Sequence, residues 1–120
     1  MNIQILKDAG VDIDDVMKRF MNDTGFYEMV LGSFLKDTVF ERAQNAYING
    51  DTQELIRAVH DAKGSCGNMG FTDIFNNANA ILGLLRNTEQ AYTKEELFKA
   101  FSDFETAYKK MVTAVTAAIS

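Results

Sequence analysis

Apolar residues recur at intervals of three and four along nearly the whole chain, and not one of its 120 residues is proline. Together these two properties restrict the fold severely. The spacing aligns side chains on one face of an α-helix, which turns once every ~3.6 residues. Proline would remove a backbone donor and break such a helix, whereas all-β chains commonly use it in turns. The last third shows the pattern most plainly. There Leu97, Phe101, Phe104, Tyr108, Met111, Val115 and Ala118 alternate by four and three, the seam of a packed bundle.

Periodicity and capping signals divide the chain into five helical segments. The first runs from about Asp12 to Met21, with Ile13, Val16, Met17 and Phe20 on one face. Asp12, Asp14 and Asp15 open it, and Lys18 and Arg19 close it, as the helix dipole favours. The second follows Thr24 and continues to Ile48, turning Tyr27, Val30, Leu31, Phe34, Leu35, Thr38, Ala43 and Tyr47 inward until Asn49-Gly50 stops it. Asp51 begins the third, with Glu54 completing a capping box. Thr72 caps the fourth, where Ile74, Phe75, Ala78, Ile81, Leu82 and Leu85 repeat at helical spacing. Thr93 and Glu96 form a second capping box for the last. Short polar links imply antiparallel neighbours. The expected fold is therefore all-α: an antiparallel up-down-up-down four-helix bundle with a short additional N-terminal helix across one end. Its length suits one domain over residues 1–120.

Charge and composition narrow the functions. The net charge is −5, and the nearest thing to a basic cluster is Lys109-Lys110, so no nucleic-acid partner is expected. The one cysteine, Cys66, has no internal disulfide partner, which suits a reducing compartment and a small buried apolar role. Met1 to Gly10 lacks the basic flank and apolar run of a signal peptide. No stretch approaches the ~18 apolar residues of a membrane helix. The expectation is a soluble, monomeric, cytoplasmic protein.

The segment beginning at Asp51 carries the only histidine. With Leu55 at the origin of a helical wheel, Val59, Ala62, Cys66 and Met69 fall within about 40° and form the buried stripe. On the same wheel His60 lies near about 140°, Lys63 near 80°, Gly67 near 120° and Gly64 near 180°. His60 therefore points to solvent, between a lysine and two glycines. A lone histidine is most often a surface or core residue without chemistry. Two glycines in one helix run against that, since each costs about 1 kcal/mol relative to alanine. They leave the ring bare to another protein. The same glycines also read as a helix ending at Gly64 followed by a loop, with Cys66 and Met69 speaking for continuation. Residue types and spacing leave both readings open. Arg57, near about 200°, reads as a solvated pair with Asp61 at i+4.

The run His60-Asp61-Ala62-Lys63-Gly64-Ser65-Cys66-Gly67-Asn68-Met69-Gly70 resembles the signature of histidine-containing phosphotransfer (HPt) domains. That signature has a histidine, a lysine three residues on, an adjacent glycine, small residues, and a glycine ten after the histidine. The resemblance extends upstream through Phe20 to Lys36 and downstream to Ala78 and Ile81. Two departures stand out: Ala62 replaces a bulky aliphatic, and Leu82 stands where the family often has Glu or Gln. They bear on partner choice more than on the accepting group.

The resemblance implies a relay. His60 would take a phosphoryl group from the aspartyl phosphate of one receiver domain and give it to another, the receivers belonging to response regulators or hybrid histidine kinases. At neutral pH an imidazole is mostly the neutral nucleophile that this requires. Lys63 would offset the phosphoryl charge, and Gly64 and Gly67 would admit the docking partner. The chain shows no Gly-rich phosphate loop and so no ATP site of its own. No cofactor or metal site is expected on it; Mg²⁺ would belong to the receiver. Asp14-Asp15 and Glu95-Glu96 read as helix-end charges. The rival reading is a helical interaction module that blocks a receiver or kinase without being phosphorylated. A hydrolase with His60 as general base lacks a partner group, since Ser65 lies near about 280° on the wheel.

Overall fold

In the computed structural model, residues 1–87 and 89–120 are described, and all their regular structure is helical. The described helices are α1 (Ile3–Asp8), α2 (Ile13–Arg19), α3 (Thr24–Lys36), α4 (Val39–Asn49), α5 (Thr52–Asn68), α6 (Thr72–Arg86) and α7 (Lys94–Ile119). Side-chain caps set most of their starts. Asp12 accepts from the Asp15 amide at 3.1 Å, Asp23 from Phe26 at 3.0 Å, and Asp51 from Glu54 at 3.2 Å. At α7 the full capping box forms, with Thr93 and Glu96 exchanging bonds of 3.0 and 3.1 Å. At α5 only half of the expected box forms, because the Glu54 carboxylate is taken by Arg42 and Arg57. Thr72 is the first residue of α6 rather than its cap; Phe71 stands at that position without a side-chain bond.

Two larger differences separate the observed helices from the sequence expectation. The long second segment is two helices, broken at Asp37, which is extended (φ −70°, ψ 135°). Asp37 accepts from the Val39 amide at 2.9 Å and restarts the chain as α4, leaving Thr38 exposed rather than inward. The break has a packing consequence. Residues six apart on a straight helix point about 120° apart, yet Phe34 of α3 and Phe40 of α4 both pack on Tyr108 of α7, at centroid distances of 5.2 and 5.0 Å. The other difference is α1, which no expected segment included. A helix of six residues is unstable alone; tertiary contacts hold it, since Leu6 is fully buried and the Asn2 amide donates to the Ala118 carbonyl at 2.7 Å.

Consecutive helices α4, α5, α6 and α7 pack against one another. Stacking of Tyr47 on Phe101 (4.5 Å, 8°) brings α4 onto α7 and closes the ring. One core contains residues from every helix, with Leu31, Val59, Phe71, Ile81, Phe104 and Val115 at or near zero exposure. Both α1 and α3 lie on α7. The turn between α5 and α6 is held by Tyr27, whose hydroxyl donates to the Met69 carbonyl at 2.8 Å. Gly70 completes this turn at φ +86°, and a Cβ there would overlap Val16 of α2, so both backbone conformation and close approach require glycine.

Candidate functional site

Helix α5 runs unbroken from Thr52 to Asn68, and neither Gly64 nor Gly67 has a positive φ. The helix ends beyond both glycines, so the reading that stopped it at Gly64 is not the one the chain adopts. Leu55, Ala58, Val59, Ala62 and Cys66 form its buried face. Ala58, about 60° from Leu55 on the wheel, joins the stripe expected from sequence. Burial pushes the Cys66 thiol up to about 12, which makes it an inert thiol.

On the other side His60 is exposed, Lys63 half-buried, Gly64 exposed and Gly67 half-buried. Among the described residues, no hydrogen bond engages the His60 ring. The imidazole borders two shallow hollows. Arg19, Lys63, Gly64, Gly67, Asn68 and Phe75 line one with it. Arg42, Ile56, Arg57, Asp61 and Arg86 line the other.

Three elements build the first hollow. Lys63 lies over the Phe75 ring, with Nζ 5.6 Å from its centroid, a cation–π arrangement. The ring comes so close to α5 that a Cβ on Gly67 would stand 2.8 Å from Phe75 Cδ2, whereas a Cβ on Gly64 would meet nothing within 4 Å. The two glycines are therefore unlike: Gly64 opens to solvent, and Gly67 seats an aromatic ring. From α2, Arg19 donates to the carbonyls of Gly67 (2.7 Å) and Asn68 (3.2 Å) while pairing with Asp15. It occupies the α5 C-terminus, where the helix dipole favours a cation.

The second hollow corrects an expected pairing. Arg57 pairs with Glu54 at 3.3 Å, not with Asp61. Asp61 is held by Arg42 of α4 at 3.0 Å, and Arg42 also binds Glu54 at 2.9 Å. These contacts hold the Glu54 carboxyl below its ordinary value, chiefly through the Arg42 hydrogen bond. Ser65 donates to the Ala62 carbonyl at 3.4 Å, turned toward its own helix. Leu82 is buried, so no polar group stands at that position.

Sequence reasoning missed Arg19, Arg42, Phe75 and Arg86 as neighbours of His60. Phe75 fits the apolar period of α6, but it is half-buried at the stripe's edge. The arginines carry no local signal, since they reach the site from α2, α4 and α6. Chemically, the arrangement presents an accessible imidazole, an adjacent ammonium and a low helix surface. Among the described residues, no group of three or more His, Cys, Asp or Glu side chains gathers as a metal site. Asp15 and Glu96 serve an ion pair and a helix cap.

A family model described as Hpt domain matches residues 33–118, from within α3 to the end of α7. No curated protein and no solved structure gives a match.

Proposed function

The chain belongs to the Hpt domain family, which gives it a phosphotransfer role in two-component signalling, and from that premise we propose that His60 is its phosphoacceptor. The observation that carries this is the setting of the only histidine. It is exposed at mid-helix, beside Lys63 and the open backbone of Gly64, with both ring nitrogens free of hydrogen bonds among the described residues.

In the proposed reaction a receiver carrying an aspartyl phosphate docks over this face. By analogy with the family, Nε2 of the neutral imidazole attacks phosphorus, the P–O bond to aspartate breaks, and the carboxylate departs on the receiver. The imidazole proton is lost to solvent, leaving a phosphoramidate. Attack by the aspartate of a second receiver reverses the step and frees the histidine. Lys63 stabilises the charge on the transferring group. Gly64 keeps the surface low for the partner, and Gly67 contributes by letting the Phe75 ring approach α5 beneath Lys63. Mg²⁺ is assigned to the receiver, and this chain acts as a carrier without an ATP site.

The same reading covers the rest of the molecule. The ring of α4 to α7 is taken as an up-down-up-down bundle, because consecutive neighbours joined by short turns run antiparallel. Residues 1–120 are counted as one unit, since Leu6, Val11, Val16 and Phe20 share the single core. A cytoplasmic monomer is proposed; no described helix is long and apolar enough to cross a membrane. The test is incubation with phosphorylated receiver domains. Acid-labile, alkali-stable label is expected on the wild-type chain and none on His60→Gln. Label persisting on His60→Gln overturns the assignment.

A further inference from the structure

The chain has four arginines and eight lysines. All four arginines line the two hollows that meet at His60, whereas Lys63 is the only lysine there. Asp61 is the one carboxylate among the lining residues. Asp15, Glu54 and Asp61 pair with three of these arginines, so five cations against three carboxylates leave this face positive on a molecule that carries −5 overall. Arg19 and Arg86 each sit in the last turn of a helix, where the dipole welcomes a cation. That preference accounts for two single positions. It does not account for arginines from α2, α4, α5 and α6 converging on one imidazole.

Their contacts separate them into two kinds. Arg19 is a strut between α2 and the end of α5, and Arg42 is a strut between α4 and α5. Arg57 is different: it touches Glu54 through Nε alone, its side chain is 65% exposed, and its terminal nitrogens have no hydrogen bond among the described residues. Arg86 is exposed and pairs with no carboxylate among the described residues. A guanidinium fork matches a carboxylate in two parallel hydrogen bonds, which an ammonium cannot do.

We propose that Arg57 and Arg86 form an acidic-partner docking edge, which grips surface carboxylates of the phosphoryl-bearing protein on the side of His60 opposite Lys63. This rests on the carrier reading above and assigns a division of labour within it. Lys63 acts on the transferring group, and the arginine edge acts on the protein that brings it. Exposed charges of this kind act mainly on encounter, through a field that salt screens. They leave the chemical step to His60 and Lys63.

The test uses the full chain and a phosphorylated receiver that labels the wild type. In Arg57→Gln/Arg86→Gln, kcat/KM should fall about tenfold at low ionic strength, with the saturating rate within about twofold of wild type. The slope of log kcat/KM against log salt should become shallower. Arg57→Lys/Arg86→Lys, which keeps the charge, should hold the wild-type slope. Labelling of His60 by phosphoramidate, a donor with no protein surface, should be unchanged in both variants. Unchanged kcat/KM and salt slope in the glutamine variant overturn the proposal. So does an equal loss with phosphoramidate, which would place the arginines on the phosphoryl group. Inhibition by inorganic phosphate beyond that of chloride at equal ionic strength also overturns it, in favour of a small-anion site. A wild-type chain that no phosphorylated receiver labels would instead defeat the carrier reading itself.

Discussion

Gly64 and Gly67 lie three residues apart on one helix, and alanine at each should shift stability in opposite directions. At Gly64 the backbone is helical and an added Cβ meets nothing within 4 Å. The substitution gains about 0.8–1 kcal/mol of helix propensity. With an unfolding entropy of roughly 2.1 cal/mol/K per residue, a chain of this length should melt ~3–4 °C higher. At Gly67 the same propensity gain is opposed by a Cβ 2.8 Å from Phe75 Cδ2 and 3.3 Å from Cε2. The ring must retreat by close to ~1 Å to regain ordinary carbon contact. Overpacking costs ~1–3 kcal/mol, so Gly67→Ala should be destabilised by about 0–2 kcal/mol net. Deleting the ring removes the collision, so in a Phe75→Ala background Gly67→Ala should become stabilising by up to ~1 kcal/mol. Thermal and urea melts followed by far-UV circular dichroism read all five proteins. Gly64→Ala melting below wild type would refute the helical account of this face. Gly67→Ala melting as high as Gly64→Ala would refute the Phe75 contact. Gly64→Gln separates stability from docking: it should stay folded, yet lose transfer from a phosphorylated receiver.

Four further outcomes are expected. His60→Gln should abolish labelling while changing stability by less than ~0.5 kcal/mol, as exposed substitutions usually do; a large loss of stability in melts would show the ring to be structural. Lys63→Ala should slow transfer at saturation without preventing it, and rapid-quench rates equal to wild type would reduce Lys63 to a solvated residue. Tyr27→Phe removes the buried bond to the Met69 carbonyl and should cost about 1–2 kcal/mol, read as a lower urea midpoint at unchanged slope. Cys66 has its thiol raised from 9.0 to about 12 by burial. Above pH 9 the unfolded chain therefore releases a proton that the folded chain keeps, and stability falls as pH rises. Between pH 9 and 10, below the ordinary tyrosine value of 10.0, Cys66→Ala should flatten that decline; an unaltered slope would contradict the burial argument.

Properties written in local pattern were legible from the residues alone. The three-four spacing of Leu97 to Ala118 gave α7 with its buried face intact. Wheel arithmetic over Leu55 to Met69 placed His60 outward and the apolar stripe inward. Gly50 ended α4 in the left-handed conformation that Asn49-Gly50 predicts. Each of these depends on neighbours within about a turn, where helix geometry converts spacing directly into direction.

Tertiary structure decided what depends on groups distant along the chain. Asp37 breaks an apolar period that sequence reads as continuous, and the break lets Phe34 and Phe40 share Tyr108. Glu54 leaves its capping box for Arg42, twelve residues earlier, because a charge-assisted bond outweighs a local amide contact. Gly67 reads from sequence as open surface, but Phe75 of the next helix fills the space beside it. Arg19 and Arg86 arrive at His60 from α2 and α6. A helical wheel records the direction in which each side chain leaves its own axis. Which side chains meet beyond that axis is set by how the helices pack, and neighbours at such separations leave no periodic trace in the sequence.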